Sequence, residues 1–373
     1  MLYDELPQQI KELVSFHLNE AFQRLSLQKL VVGETCSLFL ENSSAWDLQF
    51  ANLGRIASGL QDLENETPSS QTKITLIDNL SGLVVLSCGA CCPNPEMALP
   101  GAAALDLIFM AAGLFDDIQD QDKSNSLVAK VGIGQTLNIA LTLLLLGQNL
   151  LTKTLAENLL GAEALELLNR LNHCLLVGIK GQMLDLQETQ IPLQDRLENS
   201  DFHLLKTGLK AATIFSYLTE LGATLGLKDH NHKFVSCYCQ FGFAVGMVAQ
   251  LIADLGDFLD SGKSDNRGRD LRNRMPTLPT TYAYQSLEPE IKRQTFLTLW
   301  QTVPIPLEEI VQLIKPTPAV SQTIGQITRY TVEAENFLRV VDPELEKVEH
   351  RSMLNLLYTF VGSLKGLFLQ TGF

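Results

Sequence analysis

Long apolar segments with helical periodicity constrain the fold of this chain more than any other feature. Residues 97–115 and 137–146 are apolar on nearly every side when they are placed on a helix. A helix of that kind has to be enclosed by other helices. Strand patterns are scarce, because residues 73–77 form the only alternating run and that run is short. With 373 residues, 46% of them hydrophobic, the sequence predicts an all-α fold, a large single-domain helical bundle.

The same periodicity predicts nine helices and one polar interruption. The helices fall at roughly residues 5–30, 97–121, 127–150, 153–188, 199–227, 231–261, 288–302, 317–338 and 342–370. Residues 261–281 are rich in Gly, Pro, Arg and Asp, which favours either a mobile lid or a solvated loop. We further divide the chain into an N-terminal helical extension, residues 1–75, and the main bundle, residues 76–373.

The acidic composition restricts the partners and the compartment. Lys and Arg number 28 against 42 Asp and Glu, and the resulting net charge of −14 repels a phosphate backbone, so we expect no nucleic-acid partner. The N-terminus lacks a basic stretch followed by an apolar run, so no signal peptide is expected. Residues 97–115 contain Asp106 and end at two aspartates, which favours a core helix over a transmembrane segment. A cytoplasmic location is therefore expected.

The seven cysteines are odd in number and lie mostly in apolar segments. This usage predicts buried or inert thiols in a reducing cytoplasm. Cys88, Cys91 and Cys92 suggest a metal knuckle, but no second Cys or His pair follows at zinc spacing.

Two groups of aspartates follow apolar helices. Asp116 and Asp120 are one turn apart on the first, and Asp254 and Asp257 are spaced i and i+3 on the second. Like charges one turn apart repel by a few tenths of a kcal/mol, about 0.2–0.5. A hard divalent cation reverses that cost, because Mg²⁺ prefers carboxylate oxygens and phosphates. The spacing is compatible with solvated helix ends, or with a carboxylate cage that holds Mg²⁺ and a diphosphate above an apolar shaft.

The residues Asp116-Asp117-Ile118-Gln119-Asp120 resemble the DDxxD motif of trans-isoprenyl diphosphate synthases and class I terpene synthases. Four further elements of that superfamily follow in the same order over roughly residues 80–285. They are GQMLDL at 181–186, KTG at 206–208, the second aspartate motif at 250–257, and a loop at 268–279.

This resemblance implies a fold of the class I isoprenoid synthase type and a Mg²⁺-dependent reaction with three ions. It implies that Asp116, Asp117 and Asp120 bind two ions, and that Asp254 and Asp257 help to bind the third. The catalytic set that it implies is Asp116, Asp117, Lys206, Thr207 and Gln250. Lys206 would contact the diphosphate, while Thr207 and Gln250 would present oxygens to the allylic cation.

The substrate-binding set combines this resemblance with local chemistry. Small residues four and five positions before the DDxxD motif imply an open shaft for a C15–C20 or longer tail. Aromatic rings could face a cation, or they could be plain core. A basic cluster after residue 261 could close on the diphosphate, or it could be solvated. The complete set is Ala111, Ala112, Phe115, Gln182, Lys206, Phe215, Lys263, Arg267, Arg269 and Arg272.

Several departures from the superfamily pattern concern its second diphosphate site. Residues 78–86 contain no cation, Asn125-Ser126 stand where two arginines are usual, and Ala253 and Met275 replace an aspartate and a lysine. Each lost charged hydrogen bond costs about 1.5–3 kcal/mol. These losses indicate that the site for isopentenyl diphosphate is gone.

We therefore predict an enzyme of the terpene synthase kind, which ionises an allylic prenyl diphosphate and directs the cation to cyclisation or water quench without isopentenyl diphosphate. Three alternatives stay open. One is a prenyltransferase similar to ComQ-type isoprenyl transferases, with a peptide or aromatic acceptor. The others are a chain-elongating polyprenyl diphosphate synthase and a non-catalytic subunit of one. The resemblance also allows a homodimer.

Overall fold

The computed structural model describes residues 81–119, 128–129, 132–188, 190–259 and 269–341, with five further positions between 354 and 361. Within these residues every regular element is helical, which confirms the all-α prediction. Two elements are not α-helices: a 3₁₀ turn, Pro95–Ala98, and a π-helical turn, Gly208–Ala212. The α-helices are α1 Gly82–Gly89, α2 Leu99–Gln119, α3 Ile133–Asn158, α4 Gly161–Glu188, α5 Leu193–Leu197, α6 Ser200–Thr207, α7 Thr213–Leu227, α8 Lys233–Leu259, α9 Arg269–Arg272, α10 Leu278–Gln285, α11 Glu290–Gln301, α12 Leu307–Ile314 and α13 Ala319–Val341.

The long helices agree with the periodicity, and one predicted break is wrong. The break expected at residues 151–152 lies at 159–160, because Leu150, Leu151 and Leu155 continue the buried face of α3. That helix ends where the Asn158 side chain donates to the Thr154 carbonyl oxygen at 2.8 Å and Leu159 becomes extended. The predicted helices at 5–30 and 342–370 and the strand-like run at 73–77 lie wholly or mostly outside the described residues.

The loop predicted for residues 261–281 is wrong in part, because α9 and the start of α10 are helical. Leu271 and Leu278 are buried and anchor the two short helices. Pro279 stands in the first turn of α10, where its missing N–H group costs nothing. Residues 260–268 lie outside the described part of the chain.

The chain divides into two compact units. The first contains the described parts of Met1–Arg170, Leu218–Tyr238 and Val341–Thr359, and the second those of Leu171–Tyr217, Cys239–Val340 and Phe360–Phe373. The predicted boundary at residues 75–76 lies outside the described residues, so the division into an extension and a main bundle stays a prediction.

Glycines set the helix contacts of the first unit. A Cβ atom at Gly147 of α3 would stand 2.6 Å from Cγ1 of Ile108 and 2.7 Å from the carbonyl oxygen of Ala104, both on α2. At Gly222 of α7 an added Cβ would collide with the carbonyl oxygen of Val84 on α1. The helix backbones therefore meet directly at these positions, and no larger residue fits without displacing a helix.

The second unit has an aromatic core and a similar glycine contact. The Phe296 ring lies 5.3 Å from that of Trp300 and 5.6 Å from that of Tyr284, measured between centroids. A Cβ atom at Gly246 of α8 would stand 2.6 Å from the Cα atom of Ala212 in the π-helical turn. This contact fixes the turn against α8.

Three described helical segments are long and apolar enough to cross a membrane by length and composition alone: Pro95–Gln119, Ile133–Asn158 and Lys233–Phe258. About half of the residues in each apolar window, 50–56%, are buried inside the protein. The first segment also buries the carboxyl group of Asp106. The absence of a transmembrane segment stays a prediction.

We expect Gly222→Ala to destabilise the protein by about 1–3 kcal/mol, because overpacking at a backbone contact forces a helix to shift. Gly325→Ala is the matched control, since Gly325 lies in α13 with no heavy atom within 4 Å of an added Cβ. That substitution should be neutral or stabilise by about 0.5–1 kcal/mol. Thermal and urea unfolding measure both changes, and equal effects of the two variants would contradict the packing account.

We expect Asp106 to make the stability fall as pH rises. Burial raises the pKa of Asp106 from 3.8 to about 7, although a hydrogen bond with Ser81 opposes the rise. The folded protein therefore holds this proton more tightly than the unfolded chain. The contribution of Asp106 to the free energy of unfolding is fully present below about pH 4. It is lost progressively as the pH rises to about 7.

The Asp106→Asn variant should lack this loss, so its advantage over the natural chain should grow between pH 5 and pH 8 by about 1.4 kcal/mol per pH unit at most. Urea unfolding at the two pH values measures it, with Asp195→Asn, at an exposed position, as the control. An unchanged pH dependence in Asp106→Asn would show that the carboxyl group ionises freely in the folded protein.

Candidate functional site

A buried carboxylate between two lysines forms the strongest electrostatic feature of the second unit. Asp185 on α4 is 8% exposed. Its Oδ1 atom accepts from Nζ of Lys206 at 2.7 Å, and its Oδ2 atom accepts from Nζ of Lys210 at 2.6 Å. The Lys206 side chain is 12% exposed and that of Lys210 is 31% exposed. We call these three residues the lysine–aspartate cluster.

The cluster is ionised at neutral pH and carries one net positive charge. Burial alone would raise the pKa of Asp185, but the charges and hydrogen bonds of Lys206 and Lys210 outweigh burial and lower it. One carboxylate therefore binds two ammonium groups in a partly buried environment. An arrangement of this kind suits a polyanionic ligand, because each ammonium group is a charged donor of up to three hydrogen bonds and two ammonium groups face one carboxylate.

The local sequence explains why the three side chains meet. Gly181 lies one turn before Asp185, and an added Cβ would stand 2.8 Å from Cγ and 3.0 Å from the backbone nitrogen of Lys210. The absence of a side chain at Gly181 therefore lets α4 approach the π-helical turn that contains Lys210. Oγ1 of Thr213, the first residue of α7, donates to the carbonyl oxygen of Gly208 in that turn at 2.9 Å. Turns of the π type are frequent at functional sites.

A buried histidine lies one turn before Lys206. The Nε2 atom of His203 lies 3.2 Å from the carbonyl oxygen of Arg196, and its Nδ1 atom is buried without a hydrogen-bond partner among the described residues. Burial and the charge of Lys206 lower the pKa of His203 to about 4. The imidazole is therefore neutral at physiological pH and adds no charge to the cluster.

The end of α8 brings two further carboxylates into the second unit. The Nε2 atom of Gln250 donates to Oδ1 of Asp254 at 2.8 Å. Burial raises the pKa of Asp254 to about 6, and the charges of Asp185 and Asp257 add to the rise. The hydrogen bond from Gln250 and the charge of Lys206 oppose the rise. The pKa of Asp254 thus responds to the charges of the lysine–aspartate cluster.

Asp257 has a structural contact besides its predicted metal role. Its Oδ2 atom accepts from the backbone N–H group of Asp270 at 2.9 Å, which ties the end of α8 to the start of α9. Ala253, which stands where the superfamily has its first aspartate, is exposed. The second motif therefore offers Asp254 and Asp257 as its carboxylates.

These two carboxylates fit a hard divalent cation. They lie on one helix, and Asp257 disfavours the ionised form of Asp254. A cation would reverse that repulsion, and Mg²⁺ is commonly held by one or two carboxylates together with substrate phosphates. Within the part of the chain that the structure describes, no three His, Cys, Asp or Glu side chains form a ready-made metal site.

The first aspartate motif belongs to the first unit. Asp116 and Asp117 are half-buried at the end of α2, and Asp120 lies outside the described residues. Ala111 is buried, Ala112 is exposed and Phe115 is half-buried, so the two alanines face different directions. Their predicted role in pocket depth stays a prediction, as does that of Phe115.

The remaining predicted residues are placed as follows. Thr207 is buried next to Lys206, and Phe215 is buried with its Cβ atom 3.0 Å from a Cβ added at Gly246. The Oε1 atom of Gln182 is buried without a hydrogen-bond partner among the described residues, and Arg272 is half-buried. Lys263 and Arg267 lie outside the described residues, and only the backbone of Arg269 is described.

The sequence reasoning missed Lys210 and His203. The first could have been found, because Lys210 lies four residues after Lys206 and so on the same helical face. The second gives no signal in the sequence, since its neutral state results from burial in the folded chain.

Comparisons with known proteins identify the family and the fold of the chain. The family model described as polyprenyl synthetase matches residues 79–304. No curated protein matches the sequence significantly. Among solved structures, the chain is similar to the geranylgeranyl pyrophosphate synthetase from Pyrococcus horikoshii Ot3, with 17% identity, a TM-score of 0.63, and coverage of 92% of this chain and 98% of that chain.

Two further structures are similar at the same level. The heptaprenyl diphosphate synthase from Staphylococcus aureus has 20% identity and a TM-score of 0.61, with 84% of this chain and 97% of that chain covered. The polyprenyl synthase from Caulobacter crescentus CB15, complexed with calcium and isoprenyl diphosphate, has 18% identity and a TM-score of 0.62, with 84% and 95% covered. At these identities the structures show a shared fold. Because the family model matches more than half of the sequence, the chain belongs to the polyprenyl synthetase family.

Proposed function

We propose that this protein is a prenyltransferase that ionises an allylic prenyl diphosphate and adds the prenyl group to isopentenyl diphosphate. The lysine–aspartate cluster carries the proposal, because it holds two ammonium groups within reach of one buried carboxylate in the family-matched region. The similar structures named above are prenyl diphosphate synthases, and they support chain elongation over cyclisation. This choice reverses the order of preference that the sequence departures suggested.

The reaction begins with cleavage of the allylic C–O bond, whose electron pair leaves with the diphosphate. The double bond of isopentenyl diphosphate then attacks the allylic cation, a new C–C bond forms, and a proton leaves the adjacent carbon. Lys206 and Lys210 would donate hydrogen bonds to the leaving diphosphate as its charge grows. Asp185 would hold both lysines in position, and its single negative charge leaves the cluster net positive.

In the second unit, Asp254 and Asp257 would hold magnesium. In the first unit, the proposed magnesium ligands are Asp116, Asp117 and Asp120. When bound, magnesium would supply Lewis-acid stabilisation of the diphosphate. His203 is neutral, so it would contribute no positive charge to the binding of the diphosphate. Gln250 orients Asp254 through its amide nitrogen and would present its carbonyl oxygen to the allylic cation. Thr207, Gln182 and the basic residues after 261 complete the proposed substrate site.

A second candidate is the terpene synthase reaction, in which the cation cyclises or captures water. One observation favours it: Ser81 and the whole of α1 are buried and contain no Lys or Arg. That part of the superfamily's isopentenyl site therefore offers no cation here. Transfer to a peptide or aromatic acceptor and a non-catalytic subunit are the remaining alternatives.

Product analysis separates these functions. The full-length protein is incubated with Mg²⁺ and C10, C15, C20 and C25 allylic diphosphates, with and without isopentenyl diphosphate. Longer diphosphates that form only with isopentenyl diphosphate would support elongation. Hydrocarbons or alcohols that form without isopentenyl diphosphate would support the terpene synthase reaction and contradict chain elongation. No turnover of any kind would favour an acceptor-dependent enzyme or a subunit.

Lys206→Met should lower kcat/KM about 10- to 150-fold, which corresponds to one lost charged hydrogen bond of about 1.5–3 kcal/mol. Lys210→Met should have a smaller effect, because its side chain is more exposed and its ammonium group is partly screened by water. Lys180→Met is the control, at an exposed position of α4. Diphosphate release measures all three variants, and equal rates for Lys206→Met and Lys180→Met would remove Lys206 from the site.

Gly181→Ala should displace Lys210 from Asp185 and lower kcat/KM about tenfold, the equivalent of about 1.4 kcal/mol or roughly one charge-assisted hydrogen bond. Gly178→Ala is a matched control on the same helix, because an added Cβ there meets no heavy atom within 4 Å. Unfolding curves of both variants establish that each is folded. If Gly181→Ala kept full activity, close approach of α4 to the π-helical turn would be unnecessary for the reaction.

The homodimer remains part of this proposal. Ile133, Leu137, Leu141 and Leu145 recur every four residues on α3 and are all exposed. A continuous apolar stripe of this kind suits a contact with a second copy of the chain. We also keep a cytoplasmic location as part of the proposal.

A further inference from the structure

Three cysteines gather where α1 ends in the first unit. The Sγ atoms of Cys88 and Cys92 are 3.6 Å apart, which is van der Waals contact between two sulfur atoms. The backbone N–H group of Cys92 donates to the carbonyl oxygen of Cys88 at 2.9 Å, so Cys92 stands one helical turn after Cys88. Cys91 lies between them and turns elsewhere, since its Cβ atom would be 2.7 Å from a Cβ added at Gly226.

The two sulfurs differ in their surroundings. Cys88 is fully buried, whereas Cys92 is partly exposed. The Cys92 thiol lies 3.5 Å from the carbonyl oxygen of Asn94 and 3.9 Å from the sulfur of Met97. The charge of Lys228 acts on both cysteines. A partly exposed thiol in contact with a buried thiol forms the arrangement of an attacking thiol and a resolving thiol.

The pKa values of the thiols support Cys92 as the attacking thiol and Cys88 as the resolving thiol. The hydrogen bond with Cys88 lowers the pKa of Cys92 to about 7, although burial opposes the shift, and Asn94 and Lys228 lower it further. The hydrogen bond with Cys92 raises the pKa of Cys88, and burial raises it further. Burial raises the pKa of Cys91 to about 12, although the neighbouring Tyr238 hydroxyl opposes that shift. Cys92 is thus the thiol of this group with the largest thiolate fraction near neutral pH.

We propose that Cys88 and Cys92 are a thiol-oxidation site that a hydroperoxide converts to a reversible intrachain disulfide. This inference does not depend on the proposed prenyl transfer. It revises the expectation of inert thiols. The contact between the partly exposed Cys92 and the buried Cys88 depends on the fold at the end of α1, so the number of cysteines could not predict it.

The chemistry is balanced in two steps. The Cys92 thiolate attacks the peroxide O–O bond, takes one oxygen as a sulfenic acid, and releases hydroxide when the oxidant is hydrogen peroxide. The Cys88 sulfur then attacks the sulfenic sulfur, the S–O bond breaks, and water forms from the sulfenic OH group and the Cys88 proton. The two thiols are oxidised by two electrons in total, and one peroxide is reduced.

The helix geometry makes this disulfide reversible. Cβ atoms one helical turn apart are about 5–6 Å from each other, whereas a disulfide needs about 3.8 Å. The turn after α1 therefore has to tighten, and strained disulfides are reduced easily. The close contact of the Cys88 carbonyl oxygen with Gly226, 2.7 Å from an added Cβ, would transmit the change to α7.

The test uses the full-length reduced protein, titrated with hydrogen peroxide at neutral pH, alkylated with iodoacetamide and mapped by mass spectrometry. We expect the first oxidation product to lack two hydrogens, to link Cys88 with Cys92, and to revert with dithiothreitol. Cys92 should react at least about tenfold faster than Cys174, which is buried.

Three variants sharpen the result. Cys88→Ser should stop Cys92 at a sulfenic acid that dimedone traps, Cys92→Ser should abolish the product, and Cys91→Ser should leave it unchanged. First oxidation at another cysteine, a disulfide in Cys92→Ser, or a link between Cys91 and Cys92 would overturn the proposal. Stoichiometric zinc in the purified protein that protects these thiols until a chelator is added would also overturn it.

Discussion

The cost of burying charge in an apolar helical bundle governs the second unit of this protein. Asp185 stays ionised although it is 8% exposed, because Lys206 and Lys210 both donate to it. Removal of one partner from a buried ion pair leaves an uncompensated charge and destabilises a protein by several kcal/mol, about 3–5. The cluster thus stabilises the fold of the second unit, in addition to its proposed role in ligand binding. A bound diphosphate would accept hydrogen bonds from Lys206 and Lys210, which now donate to Asp185. Diphosphate binding would therefore change the contacts that stabilise this part of the fold.

Glycines at helix contacts let neighbouring backbones come close enough for the side chains of the lysine–aspartate cluster to meet. Gly181 admits the π-helical turn to α4, and Gly246 fixes the same turn against α8. Gly222 and Gly147 serve the first unit in the same way. In each case the space left by a missing Cβ is filled by the neighbouring helix, so the positions of the charged side chains follow from close backbone packing.

Periodicity predicted the all-α class and most long helices. The resemblance to the superfamily placed Asp185, Lys206, Asp254 and Asp257 within its sequence motifs, and their roles stay predictions. The break between α3 and α4 was missed because apolar residues continue past residue 152 and the helix ends at a side-chain cap. The helices α9 and α10 were missed because their anchors, Leu271 and Leu278, stand alone among polar residues. Neither the low pKa of His203 nor the contact of Cys88 with Cys92 could be predicted, because both arise from burial in three dimensions. The preference for a terpene synthase rested on missing cations, whereas the family model places the chain in the polyprenyl synthetase family.

The most direct measurement of the central claim is the affinity of the full-length protein for a non-ionising thiolo analogue of an allylic diphosphate, determined by calorimetry with Mg²⁺ present. Binding should be tight in the natural chain and about 10- to 150-fold weaker in Lys206→Met, because one charged hydrogen bond of about 1.5–3 kcal/mol is lost. Equal affinity of the two proteins would contradict the claim that the lysine–aspartate cluster binds the diphosphate.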